Sequence, residues 1–95
     1  MATLSDPEVK TALGTVPGWE LDGVEIVKQY KFADFAAAMA FVNRVAEAAE
    51  AANHHPDIDI RWNKVRLVLS THSQGGLTAN DFALAGQIEG LAGGR

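Results

Sequence analysis

From Asp34 to about Asn53 the chain carries no glycine or proline and is rich in alanine, so it reads as one long helix. That helix has to stop at His55-Pro56, because the residue before a proline is pushed out of helical geometry into extended backbone. Phe35, Met39, Val42, Ala46 and Ala49 recur at helical spacing and read as its buried stripe. Phe41 and Val45 lie on a second face, which points either to a broad contact with a sheet or to a subunit interface. Asn43, Glu47 and Glu50 line the polar side, and His54 falls in line four residues after Glu50.

Shorter elements flank this helix. Ser5-Asp6-Pro7-Glu8 has the form of a capping box, with Leu4 and Val9 placed as a hydrophobic staple, and opens a first helix ending near Gly14. A strand around Trp19 to Leu21 follows, then an Asp22-Gly23 turn and a strand from Val24 to Phe32. After Pro56 come two more strands, Ile58 to Trp62 and Val65 to Leu69, with Asn63-Lys64 between them. Thr78 caps a last helix, with Asp81 three residues on and Leu84, Ile88 and Leu91 as its buried stripe. Residues 93–95 are expected to fray. The element order is α-β-β-α-β-β-α, and 95 residues make one domain, 1–95.

Charge and composition exclude several classes. A net charge of −4 argues against sequence-independent nucleic-acid binding, which needs clustered lysine and arginine. The absence of cysteine removes disulfides and thiolate metal sites and fits a reducing, cytoplasmic setting. No segment approaches the ~20 apolar residues of a membrane span, and the first ten residues lack a signal-like pattern.

All three histidines, His54, His55 and His72, fall between Glu50 and Asp81. An imidazole titrates near neutral pH, so such a cluster suits proton transfer. With Asn63-Lys64 as the loop, Trp62 faces Val65, Ile60 faces Leu67 and Ile58 faces Leu69. All three apolar pairs then share one face, with Trp62 in the core. Extending that ladder sets His55 opposite His72. Glu50 and His54, four apart on the helix, are within side-chain reach, so the carboxylate would orient the imidazole. A zinc site is the weaker reading, since there is no helical HxxxH pair and His54 and His55 would point apart on a strand. Ser70, Thr71 and Ser73 flank His72 without a nucleophile-elbow motif. Acid–base chemistry on a bound small molecule fits the residues best.

Glu50, three residues, His54-His55-Pro56, five residues, Trp62, nine residues, His72, eight residues, Asp81: this composite pattern resembles the pterin-4a-carbinolamine dehydratase family. Gly18-Trp19, Phe32 and the passage from Ser70-Thr71-His72 to Gly75-Gly76-Leu77-Thr78 extend the resemblance over almost the whole chain. The resemblance implies an α+β fold, a four-stranded antiparallel sheet with three helices packed on one face, assembled as a homodimer or homotetramer. It implies a dehydratase that removes water from 4a-hydroxytetrahydropterin, the product of a pterin-dependent aromatic amino acid hydroxylase, to give quinonoid dihydropterin. His54 and His55 would be the acid–base pair and His72 the third member. Glu50 would hold His54, and Asp81 would orient a histidine or the pterin edge. Neither metal nor organic cofactor is implied, because the pterin is itself the substrate. Family members also occur as non-enzymatic partners in transcription or protein assembly, which is the alternative function. Trp19 is read as core.

Overall fold

A computed structural model describes residues 3–94. The elements are α1 (Asp6–Leu13), β1 (Glu20–Asp22), β2 (Glu25–Lys31), α2 (Phe35–Ala52), β3 (Asp57–Arg61), β4 (Lys64–Leu69) and α3 (Ala79–Gly94), with a short 3₁₀ turn at His72–Gln74. The strands form one antiparallel sheet in the order β1-β2-β4-β3. This is the expected α-β-β-α-β-β-α order and fold class. The fraying expected at the C-terminus does not begin by Gly94, which closes α3, and Arg95 lies outside the described residues.

Local chemistry explains the boundaries. Ser5 accepts from the Glu8 N–H while the Glu8 carboxylate accepts from the Ser5 N–H at 2.8 Å, so the capping box is closed at both ends. Asp34 caps α2 by accepting from the Ala37 N–H at 2.8 Å. Gly18 has a positive φ of 88°, and a Cβ there would lie 2.6 Å from Lys28 Nζ. The positive φ is what favours glycine here, while the lysine head, which donates to the Pro17 carbonyl at 3.0 Å, is the flexible end of its side chain.

One face of the sheet carries the core. Ile26 and Tyr30 of β2 alternate inward with Val65, Leu67 and Leu69 of β4. α2 covers them with Ala38, Phe41, Val45 and Ala49, and α3 adds Phe82, Leu84, Ala85 and Ile88. Phe41 is the anchor, its ring 5.0 Å from Tyr30 and 4.9 Å from Phe32 between centroids. Trp19 is buried in the same cluster, as the sequence suggests.

Of the two readings of the second α2 face, the broad contact with the sheet holds, since Phe41 and Val45 are fully buried in the core. The stripe read as buried is corrected except at Ala49, which is buried. Phe35 and Ala46 are exposed, and Met39 and Val42 are half-buried. Both stripes of α2 are apolar, so periodicity does not rank them; the aromatic contact of Phe41 with Tyr30 and Phe32 decides which turns inward.

The β3–β4 register is also shifted. Ile58 pairs with Leu67 and Ile60 with Val65, two residues from the expected pairing, because the loop is Trp62-Asn63 and not Asn63-Lys64. Asn63 is buried: its side-chain amide donates to the Phe32 carbonyl at 2.9 Å, and its own carbonyl accepts the Phe32 N–H at 2.8 Å. Those two bonds fix Asn63 in the turn, and Trp62 takes the position with φ of 53°. Trp62 is consequently 66% exposed, not core. A shift of two keeps every side chain on its face, which is why the alternation pattern tolerates either register.

Candidate active site

The end of α2 decides where its histidines point. Asn53 adopts a left-handed conformation with φ of 51°. Its N–H donates to the Glu50 carbonyl at 3.2 Å, and the His54 N–H donates to the Ala49 carbonyl at 3.0 Å, the double closure of a Schellman motif. Asparagine is among the few side chains that visit this region readily. His54 therefore stands off the helix, and Pro56 keeps His55, the residue before it, out of helical geometry.

From that bend the two imidazoles separate. His54 turns toward the start of α3, where its Nε2 lies 2.5 Å from Asp81 Oδ1. His55 folds back along α2, and its Nε2 lies 2.5 Å from Glu50 Oε2. The expected pairing of Glu50 with His54 is thus replaced by Glu50–His55 and Asp81–His54. The reason is the left-handed Asn53, which breaks the helical i, i+4 spacing before His54 is reached.

The two pairs sit in different surroundings. The Asp81 side chain is 0% exposed and that of His54 11%, so their mutual field is weakly screened by solvent ions. The His55 side chain is 56% exposed and that of Glu50 78%, an open pair facing solvent. Asp81 is held by more than His54. Its Oδ2 accepts from the Thr78 N–H at 2.9 Å and from the Thr71 hydroxyl at 2.9 Å. Asp81 is thereby both the capping carboxylate of α3 and the partner of a histidine.

His72 opens the 3₁₀ turn directly after Thr71 and is exposed. The loop that carries it is pinched shut by the Thr71–Gly76 bridge, and Gly75 makes the return with φ of 73°. The predicted ladder pairing of His55 with His72 does not form. β3 begins at Asp57, and extending the observed register sets His55 opposite Ser70. His72 makes no side-chain hydrogen bond to another described residue. Among the described residues no three His, Asp or Glu side chains come together as a metal site would require. A groove of about 480 Å³ lies beyond the same loop, lined by Leu4, Val9, Leu13, Leu21 and Leu77, and contains neither imidazole pair.

The sequence singles out Glu50, His54, His55, His72 and Asp81, and the structure joins all but His72 as two pairs. It missed Thr71 as part of the same hydrogen-bond network. The available signal was its position, the first residue past β4 in a loop returning to the capped start of α3.

The fold is a one-sided α/β sandwich that brings two imidazole–carboxylate pairs together at a helix junction. Residues 2–91 match the family model described as pterin 4 alpha carbinolamine dehydratase. The chain belongs to that family. It is 56% identical over 91 residues to a protein of Acidobacterium capsulatum provisionally named pterin-4-alpha-carbinolamine dehydratase, covering 96% of this chain and 99% of that one. A relative in Chloroflexus aurantiacus, provisionally given the same name, is 54% identical over 93 residues, covering 98% of this chain and 100% of its own. The crystal structure of a transcriptional coactivator/pterin dehydratase from Brucella melitensis superimposes with a TM-score of 0.91 at 35% identity. It covers 95% of this chain and 98% of that one. A pterin dehydratase-like protein identified as a RuBisCO assembly factor in the alpha-carboxysome shares the fold, with a TM-score of 0.66 at 24% identity. There the coverage is 79% of this chain and 87% of that one. No helix among the described residues is long and apolar enough to cross a membrane.

Proposed function

We propose that this protein dehydrates 4a-hydroxytetrahydropterin to quinonoid dihydropterin by histidine acid–base catalysis. The observation that carries the reading is the pair of adjacent imidazoles, each fixed through Nε2 by its own carboxylate, Asp81 for His54 and Glu50 for His55. Membership of the family supplies the substrate class.

The elimination moves two protons. One imidazolium gives its proton to the hydroxyl on C4a, and the C4a–O bond breaks with loss of water. The neutral imidazole takes the proton from the adjacent ring nitrogen, and that N–H electron pair becomes the C4a–nitrogen double bond. Each well-placed transfer contributes roughly 10²–10⁴-fold. In this scheme His54 and His55 are the acid–base pair, and His72 positions the hydroxyl from the facing loop. Asp81 and Glu50 hold the rings. The reaction asks for no cofactor beyond the pterin substrate and no metal.

In the same reading the protein works in the cytoplasm as a homodimer or homotetramer, supplied with substrate by a pterin-dependent aromatic amino acid hydroxylase. Self-association is supported by β3, an edge strand that carries exposed Ile58 and Ile60 and is followed by exposed Trp62. The test is to generate the 4a-hydroxy compound with such a hydroxylase and follow its ultraviolet decay. Faster formation of the quinonoid product with the protein present is expected. An unchanged decay with folded protein would overturn the assignment.

A second reading is a protein-binding module, for which the coactivator named for the Brucella melitensis structure gives precedent. It would use the outward stripe of α2, Phe35, Met39, Val42 and Ala46, because Phe41 and Val45 are buried.

A further inference from the structure

Behind Asp81 lies a short chain of hydroxyls whose direction can be worked out. The Thr71 hydroxyl has one proton and two neighbours, Asp81 Oδ2 at 2.9 Å and Thr78 Oγ1 at 2.8 Å. A carboxylate only accepts, so the Thr71 proton goes to Asp81 and Thr71 accepts from Thr78. Thr78 Oγ1 in turn accepts from the Asn80 N–H at 3.3 Å. The Thr78 N–H reaches Asp81 Oδ2 independently at 2.9 Å. The relay from Asn80 through Thr78 and Thr71 therefore ends on one carboxylate, which the Thr78 N–H reaches as well. Thr78 and Asp81 are both 0% exposed, so the bond between the Thr78 N–H and the carboxylate is shielded from water.

The remaining carboxylate oxygen, Oδ1, faces His54 Nε2. With both lone-pair sets of Oδ2 engaged by donors, Asp81 completes its shell by accepting from that nitrogen as well. His54 is then protonated at Nε2 whenever it is neutral, and its lone pair lies on Nδ1. We propose that Nδ1 is the working nitrogen of His54, and that Thr71 is a positioning residue which locks this tautomer by fixing the Asp81 carboxylate through its Oδ2. The proposal rests on the reading of His54 as a proton-transfer group, but its tautomer can be measured without substrate.

Thr71 acts through Asp81 and hydrogen-bonds neither imidazole, so its removal should alter orientation while leaving the ring chemistry intact. Thr71→Val keeps the shape and removes the hydroxyl; Thr71→Ser restores the hydroxyl alone. Asp81→Asn places an amide beside Nε2 that can donate to it, which favours the opposite tautomer, as amide-for-carboxylate exchange does beside other catalytic histidines.

The experiment is ¹⁵N NMR of the imidazole rings at about pH 8, where an ordinary histidine is neutral, with circular dichroism to verify folding. In the wild type and Thr71→Ser, His54 should show a protonated Nε2 and an unprotonated Nδ1. Thr71→Val should show mixed tautomers and Asp81→Asn the reversed one. In the dehydration assay Thr71→Val should lose about ten- to a hundredfold in kcat with little change in KM, recovered in Thr71→Ser. A wild-type spectrum with the proton on Nδ1 would overturn the nitrogen assignment. A Thr71→Val spectrum identical to wild type would overturn the role of Thr71. Wild-type protein with the expected spectrum and no dehydration would instead sink the functional reading, so the two failures are distinct.

Discussion

The His54 imidazole and the Asp81 carboxylate, 27 positions apart in the chain, meet at 2.5 Å and tie the end of α2 to the first turn of α3. His55 and Glu50 make a bond of the same length only five positions apart and in the open. The two contacts should therefore matter differently for stability. Removing a partner from a buried polar group exposes the protein to the cost of an unmade bond, about 1–3 kcal/mol. An exposed ion pair contributes about 0–1 kcal/mol.

His54→Ala should accordingly lower the free energy of unfolding by about 1–3 kcal/mol, softened by the two bonds that Asp81 retains to Thr71 and Thr78. His55→Ala should change it by less than about 1 kcal/mol. Urea unfolding at neutral pH measures both. The opposite order would mean that the buried pair is not what anchors α3.

Glu89 gives the fold an acid-sensitive point. Burial pushes its carboxyl upward, but the Lys28 ammonium at 2.5 Å and the Tyr30 hydroxyl more than offset this, leaving it below the ordinary carboxylate value. A group whose folded value is depressed adds stability above its unfolded value, about 4.3 for glutamate, and loses it as pH falls toward the folded value. The wild type should thus lose more thermal stability below about pH 4.5 than Glu89→Gln does. Parallel Tm–pH curves for the two proteins would contradict the role given to this cluster.

Trp62 occupies a turn position with φ of 53° that costs a non-glycine residue about 1–2 kcal/mol, and its exposed ring recovers little by packing. Trp62→Gly should leave stability unchanged or raise it by up to about 1 kcal/mol. A loss above about 2 kcal/mol would show that the ring is held by contacts with another copy of the chain.

If β3 is the self-association edge, Ile60→Lys should place a charge on it and shift the protein toward monomer in sedimentation velocity, with the far-ultraviolet spectrum unchanged. An unaltered oligomer would move the interface elsewhere, to the outward stripe of α2 first of all.

Much of this architecture was legible from residue chemistry. Capping boxes and period-two alternation in β4 each act within a few residues, so local patterns suffice to read them; the stop read at His55-Pro56 in fact comes earlier, at Ala52, where left-handed Asn53 closes α2 before the proline is reached. The failures share one cause. Which α2 stripe faces inward depends on Phe41 meeting Tyr30 and Phe32, and the hairpin register depends on Asn63 bonding the backbone of Phe32. Both are contacts between distant segments, invisible to periodicity. The site shows the same division: the histidines and carboxylates stand out by type, whereas their pairing was set by one left-handed residue, Asn53.

The most direct measurement is the dehydration rate of His54→Ala/His55→Ala against wild type, on 4a-hydroxytetrahydropterin generated in situ, with folding verified. The proposed mechanism predicts that wild-type protein accelerates the decay and that the double variant loses at least about 10²-fold of the acceleration. A folded double variant as fast as wild type would show that these two imidazoles do not carry the reaction.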